Sequence, residues 1–152
     1  MIDDFAGRFN TSIWLNRDLI VEKSNRYFLL NKKLKGLIAK DFFYAGVYLG
    51  KTRGKTFFPS FHFLAMIAQS DANKTTVDSK TEWLFICGRD IFRNGITGAS
   101  KTLKKGDHTL ILNAYGDCLG FGKISPSMHD VGRNQVVVKN IADIGDFLRR
   151  EK

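Results

Sequence analysis

Apolar residues recur along the chain at two spacings, one suited to short helices and the other to short strands. Phe5 and Phe9 stand four apart within Asp3 to Asn10, which predicts one or two helical turns closing on Asn10 or Thr11. Asp18 to Lys23 and Arg26 to Leu30 read as a hairpin around Ser24-Asn25, residue types that favour such a reversal. Asn31 is placed to cap a helix through Lys40, because Leu34, Leu37 and Ile38 share one side while Lys32, Lys33 and Lys35 point elsewhere. Phe43 to Leu49 reads as a strand, and Gly50 to Thr56 as a flexible basic loop. Pro59-Ser60 then opens an apolar stretch in which Phe61, Leu64, Ala65 and Ala68 fall on one helical side, predicting a core helix.

Ser70-Asp71-Ala72-Asn73 is small and polar between two apolar blocks, so it divides the chain into residues 1–73 and 74–152. Each part is below ~80 residues, where one core is marginal, and the two are expected to pack together and move little. Past the boundary, short runs follow closely: Thr75 to Val77, Glu82 to Cys87, His108 to Asn113, Cys118 to Ile124, and Asn134 to Lys139. That spacing predicts strands of a small barrel, closed by a helix from Asp143 to Arg150 with Arg149 and Arg150 in its last turn. Within it, Lys104 to Lys123 reads as one hairpin, with Gly116-Asp117 supplying the positive φ and the side-chain-to-backbone bond of the reversal. The class is α+β: a small N-terminal α/β domain, then a β barrel.

At 43% hydrophobic and 26% charged residues, the 152-residue chain has ordinary globular composition and enough apolar material for a core. No apolar run approaches the ~20 residues that span a bilayer, and Met1-Ile2-Asp3-Asp4 is not a basic leader, so a cytoplasmic location without membrane partners is expected. Cys87 and Cys118 fall in expected strands and read as reduced, buried thiols, with any disulfide incidental. His62, His108 and His129 are scattered, and no metal or cofactor is expected.

The net charge of +9 changes the picture more, because such an excess attracts phosphate-rich partners. Both parts are basic, at +5 for residues 1–73 and +4 for residues 74–152. Lys23, Arg26, Lys32, Lys33, Lys35, Lys40, Lys51, Arg53 and Lys55 stand against one acid, Asp41, though a basic run can equally be a solvated surface.

Candidate chemistry is thin. Gly46, Gly50 and Gly54 with Lys51-Thr52 and Lys55-Thr56 invite comparison with a phosphate-binding P-loop, yet only three residues separate successive glycines where that loop needs four. A basic glycine loop remains a general phosphate contact. Ser127, His129 and Asp130 supply the residue types of a hydrolytic triad, but a triad draws its members from separate elements and no nucleophile elbow is present. Asp143 and Asp146 read as helix caps and solvated acids. The thirteen Phe read as core, and only Tyr115, at a hairpin tip, as exposed enough to stack on RNA.

In the second part, Glu82 to Cys87, then Gly88-Arg89-Asp90-Ile91-Phe92-Arg93-Asn94-Gly95-Ile96, Lys105-Gly106-Asp107 and Gly120-Phe121-Gly122 together resemble the PUA domain, an RNA-binding module. There Gly95 is expected to end a short helix in a left-handed conformation, and Gly120 and Gly122 to let a barrel strand pass close to its neighbour. More narrowly, Phe58-Pro59-Ser60-Phe61-His62-Phe63-Leu64 and Val138 to Arg150 resemble archaeal relatives of the Nip-seven ribosome biogenesis factor. That resemblance implies a PUA-type pseudo-barrel after a small α/β domain, no catalysis, RNA binding through basic barrel residues, and a role in maturing large-subunit ribosomal RNA beside assembly proteins. Gln135 to Val138 lead here into a lone Lys139, with Arg133 upstream, where such relatives carry several cations. The candidate RNA contacts are therefore Arg133 and Lys139 with Arg89, Arg93, Gly95, Ile96, Lys101, Lys104, Lys105 and Lys123, or Lys51, Arg53 and Lys55 in the first domain. The alternative is an accessory module of a tRNA-modifying enzyme of the archaeosine transglycosylase type, since such enzymes carry a similar small domain before their PUA domain.

Overall fold

The computed structural model describes residues 1–38, 42–101, 103–125 and 132–149. Helix α1 (Ile2–Gly7) is followed by β1 (Ile20–Lys23) and β2 (Arg26–Leu29), joined through Ser24 and Asn25 at φ 50° and 62°. These are the left-handed values of a tight hairpin turn. Asn31 caps α2 (Lys32–Leu37) by accepting the Leu34 N–H at 2.7 Å. Ser60 likewise caps α3 (Phe61–Ala68) through the Phe63 N–H at 3.1 Å.

Between these helices the chain forms a second hairpin where a strand and a loop are expected. Strand β3 begins only at Val47 and runs to Arg53, and β4 (Thr56–Pro59) pairs back onto it in antiparallel register. The stretch expected as a flexible loop is thus mostly ladder, reversing at Gly54-Lys55. Strands β1 to β4 form one sheet in chain order.

The second sheet is built from β5 (Lys74–Val77), β6 (Ile91–Phe92), β7 (Ile96–Ala99), β8 (His108–Leu112), β9 (Cys118–Ile124) and β10 (Val136–Asp143), in the order β6-β10-β9-β8-β5-β7. Strands β6 and β7 lie at opposite edges yet are joined by a single 3-10 turn, Arg93–Gly95, so the chain bridges the edges and nearly closes the sheet. The result is a β pseudo-barrel within an α+β fold. At Gly120, φ is 144° and an added Cβ would lie 2.8 Å from Asp143 Cα, so the close passage of β9 beneath β10 requires glycine.

Residues 82–87 are not a strand. Asp78 accepts the Thr81 N–H at 2.8 Å and opens α4 (Ser79–Ile86). Only Phe85 of that helix is buried; Trp83 and Leu84 are exposed. Cys87 lies at its end and is exposed, unlike buried Cys118, and both thiols are free. Helix α5 (Ile144–Arg149) starts where Asp143 accepts the Asp146 N–H at 2.7 Å, so this acid pair is a cap. The β8–β9 reversal has Gly116 at φ 88°, but its side-chain acceptor is Asn113, which takes the Tyr115 and Asp117 N–H groups at 3.0 and 2.9 Å. Among the described residues no helix is long and apolar enough to cross a membrane.

One core spans both sheets. Phe5, Phe9, Leu49, Phe57, Phe63, Leu64 and Ile67 pack with Leu110, Leu112, Cys118 and Phe121. Phe121 meets Phe5 and Phe9 edge-on, with ring centroids 5.7 and 5.6 Å apart. A second core fills the barrel with Val77, Phe85, Ile91, Ile111, Leu119, Ile124, Val137 and Val138. Strand β8 is covered on both sides, Leu110 by the N-terminal elements and Ile111 by the barrel interior, so its apolar run is continuous instead of alternating.

Candidate nucleic-acid interface

Where the shared core ends, polar side chains take over the same side of the barrel sheet. Lys123 on β9 is the direct cross-strand partner of His108 on β8 and of Lys139 on β10, which places the three in one row. His108 packs against Phe9 and Phe121, with centroids 6.1 and 6.4 Å apart, at the margin of that core. Burial, then the charges of Arg8 and Lys123, push its pKa below 6.5, with Asp107 pulling the other way. Arg8 thus extends the row into α1's neighbourhood. Neither Arg8 nor His108 was singled out from sequence as an RNA contact, because only the packing of α1 over β8 and β9 brings them beside Lys123.

The row is not uniformly available. The Lys139 ammonium donates to Asp90 Oδ2 at 2.7 Å, and Asp90 Oδ1 accepts the Asn140 N–H at 3.0 Å. Burial is the largest single influence on Asp90 and opposes its charge, but Lys139 and the Asn140 amide together hold its carboxyl below the usual range. Lys123 is exposed and, among the described residues, has no ion-pair partner.

Further cations approach along the loops. Asp107 accepts the Lys104 N–H at 2.8 Å, while Gly106 N–H to Ile124 and Ile124 N–H to Asp107, both 2.8 Å, fix that turn to the end of β9 and leave Lys104 and Lys105 exposed. Arg93 N–H donates to Gln135 and Asn94 N–H to Arg133, at 2.9 and 3.0 Å, so the 3-10 turn docks on the loop carrying exposed Arg133. Arg93 and Lys101 flank a groove of about 310 Å³ that Ile96 and Leu103 also line. Arg89 is exposed after α4, its carbonyl accepting from Asn140 at 3.4 Å.

Gly95 plays another part than expected. Its φ is not left-handed, it is buried, its carbonyl accepts the Asp78 N–H at 3.0 Å, and an added Cβ would overlap the Thr81 side chain. Close packing against α4, not approach to a ligand, requires glycine there. Lys51, Arg53 and Lys55 are exposed on the four-stranded sheet, apart from the β8–β10 row. Tyr115 is 90% exposed as expected, but Trp14, Phe43, Tyr44 and Trp83 are exposed as well. Ser127, His129, Asp130, Lys40, Asp41 and Arg150 lie outside the described residues. No group of three metal-ligating side chains occurs among the described residues.

A nearly closed six-stranded pseudo-barrel, its edges bridged by one short turn and capped by helices, is the architecture of PUA domains, which as a class bind RNA. Residues 73–152 match the family described as the UPF0113 PUA domain, and the chain belongs to that family. A UPF0113 protein of Archaeoglobus fulgidus is 31% identical over 114 residues, covering 72% of this chain and 63% of the relative, so the match spans under two thirds of that protein. A conserved PUA domain protein of Thermoplasma acidophilum superposes with a TM-score of 0.64 at 18% identity, over 98% of this chain and 90% of its own. A hypothetical protein of Pyrococcus horikoshii OT3 does so at 0.55 and 19% identity, over 85% and 75% of the two chains. At these identities the two structures share the fold.

Proposed function

We propose that this protein binds RNA without acting on it chemically, and that its target is the precursor of large-subunit ribosomal RNA. The observation that carries the reading is the row of Arg8, Lys123 and Lys139 gathered around His108 on a PUA barrel, its cations extended by Lys104, Lys105, Arg93 and Arg133. Cations in such an arrangement grip phosphates and position the RNA without reading its sequence, so selectivity would rest on RNA shape. Residues 74–152 supply most of this surface, and residues 1–73 form the accessory α/β domain that braces it and adds Arg8. The ribosomal assignment rests on the resemblance of residues 58–64 and 138–150 to Nip-seven relatives, and implies assembly proteins as neighbours in the cytoplasm.

The test is to crosslink the protein to its RNA in cells and sequence the fragments. Enrichment of large-subunit ribosomal RNA is the expected result. Enrichment of tRNA, together with recovery of a transglycosylase catalytic subunit, would replace this reading with that of a tRNA-modification accessory. Absence of any RNA above background would overturn both.

A further inference from the structure

The outer side of the four-stranded sheet carries a second pattern that the barrel row does not use. Lys23 pairs across the ladder with Arg26, and Arg26 with Lys51, so three cations from β1, β2 and β3 share one side of the sheet. Two residues along β2 on that side is Phe28, fully buried beneath a cap of other rings. Phe42, Tyr44 and Tyr48 lie 5.6, 5.3 and 5.5 Å from it, centroid to centroid. The Arg26 guanidinium sits over the Phe43 ring at 5.6 Å, and the Lys23 ammonium over the Phe42 ring at 4.9 Å. Lys23 also donates to the Phe42 carbonyl, which ties the aromatic segment to the sheet. Arg53 and Lys55 continue the charge at the β3–β4 turn.

Despite this anchoring, Phe43 is 84% exposed and Tyr44 57%. Two large rings held in water by a fixed scaffold and flanked by cations present both parts of a single-strand site: π surfaces for bases and positive charge for the backbone. An apolar protein partner would have to strip water from Arg26 and Lys51 to reach the rings, an uncompensated cost. A duplex would satisfy the cations but keeps its bases stacked away from the rings. Unpaired RNA satisfies both.

We propose that this outer side of β1 to β3, with Phe43 and Tyr44, is a second RNA surface, specific for unpaired nucleotides. A base stacks on Phe43, and Arg26, Lys51 and Arg53 take the adjacent phosphates. The inference rests on RNA being the partner but not on the barrel row. Structured RNA held at the barrel and an emerging single strand held here would together define a junction between paired and unpaired segments.

The test titrates the full chain with a labelled oligouridylate of about a dozen nucleotides and with an RNA duplex of equal length. Phe43→Ala, at an exposed position, should weaken oligouridylate binding about tenfold and leave duplex binding unchanged. Phe43→Trp should restore it, and Lys51→Gln should make the salt dependence for the single strand shallower by about 0.7. Unchanged oligouridylate affinity in Phe43→Ala, or equal losses on both RNAs, would overturn the inference. If Phe43→Ala is silent while Lys123→Ala weakens duplex binding, this inference fails alone and the barrel reading stands. If the unaltered chain binds neither RNA, both fail.

Discussion

Lys123 and Lys139 are adjacent in one row but differ in what occupies them, and this difference can be measured. A cation that neutralises one phosphate contributes about 0.7–0.9 to the slope of log affinity against log salt. Raising salt from about 50 to 200 mM then costs roughly threefold in affinity per contact. Lys123 forms no ion pair among the described residues, so Lys123→Ala should remove that whole increment. Lys139 is already neutralised by Asp90 at 2.7 Å, and a phosphate must compete with that carboxylate. Lys139→Ala should therefore change the slope by less than half as much. The converse variant is Asp90→Asn, which keeps an oxygen for the Asn140 N–H while releasing Lys139. An exposed ion pair is worth about 0–1 kcal/mol, so Asp90→Asn should tighten RNA binding by up to about fivefold and steepen the slope. Fluorescence anisotropy with a labelled structured RNA at several salt concentrations reads all three variants. Equal slope changes for Lys123→Ala and Lys139→Ala, with Asp90→Asn neutral, would refute the competition; an unaltered slope in every variant would remove the row from the RNA.

Phe121→Ala empties the point where Phe5 and Phe9 meet the barrel and should cost about 3–5 kcal/mol, with calorimetry still showing one transition because both sheets share that core. A surviving independent transition of residues 1–73 would contradict this. The depressed pKa of His108 means that the folded state binds fewer protons than the unfolded chain as pH falls below 6.5. Its contribution is thus neutral above that pH and destabilising progressively down to the folded-state pKa; urea unfolding at stepped pH should show this decline flattened in His108→Gln. Burial pushes the Cys118 thiol up to about 11, and its S–H donates to the Gly120 carbonyl at 3.6 Å. A thiol reagent at neutral pH should modify exposed Cys87 at once and Cys118 only on denaturation; rapid reaction of both in the native protein would show that β9 opens readily.

The parts of this fold legible in the sequence are those governed by neighbours within four residues. Asn31 as a cap, Ser24-Asn25 as a turn and the Cys118 to Ile124 strand all follow from local chemistry and lie where expected. Residues 82–87 misled because Trp-Leu-Phe-Ile reads as a buried strand, whereas Asp78 had already set a helix whose Trp83 and Leu84 face water. The cue was present in Asp78-Ser79 with Glu82 following, a helix opening that outweighs a short apolar run. The pairing of Lys139 with Asp90, 49 residues apart, and the gathering of Arg8 with His108 and Lys123 depend on tertiary contacts that no local pattern encodes. The same holds for Gly95, whose reason is the Thr81 side chain pressed against it.

The core spanning both sheets also sets an order of events during synthesis. When residue 77 has been translated, Phe5, Phe9 and Phe63 still lack Leu110, Leu112 and Phe121, and the newly made β5 lacks the β8 strand it pairs with in parallel. Elongation at roughly 5–20 residues per second leaves that greasy surface waiting several seconds for its missing half. A chaperone that shields nascent chains would find its substrate in this interval, and truncations ending between residues 77 and 121 should aggregate more readily than the 152-residue chain.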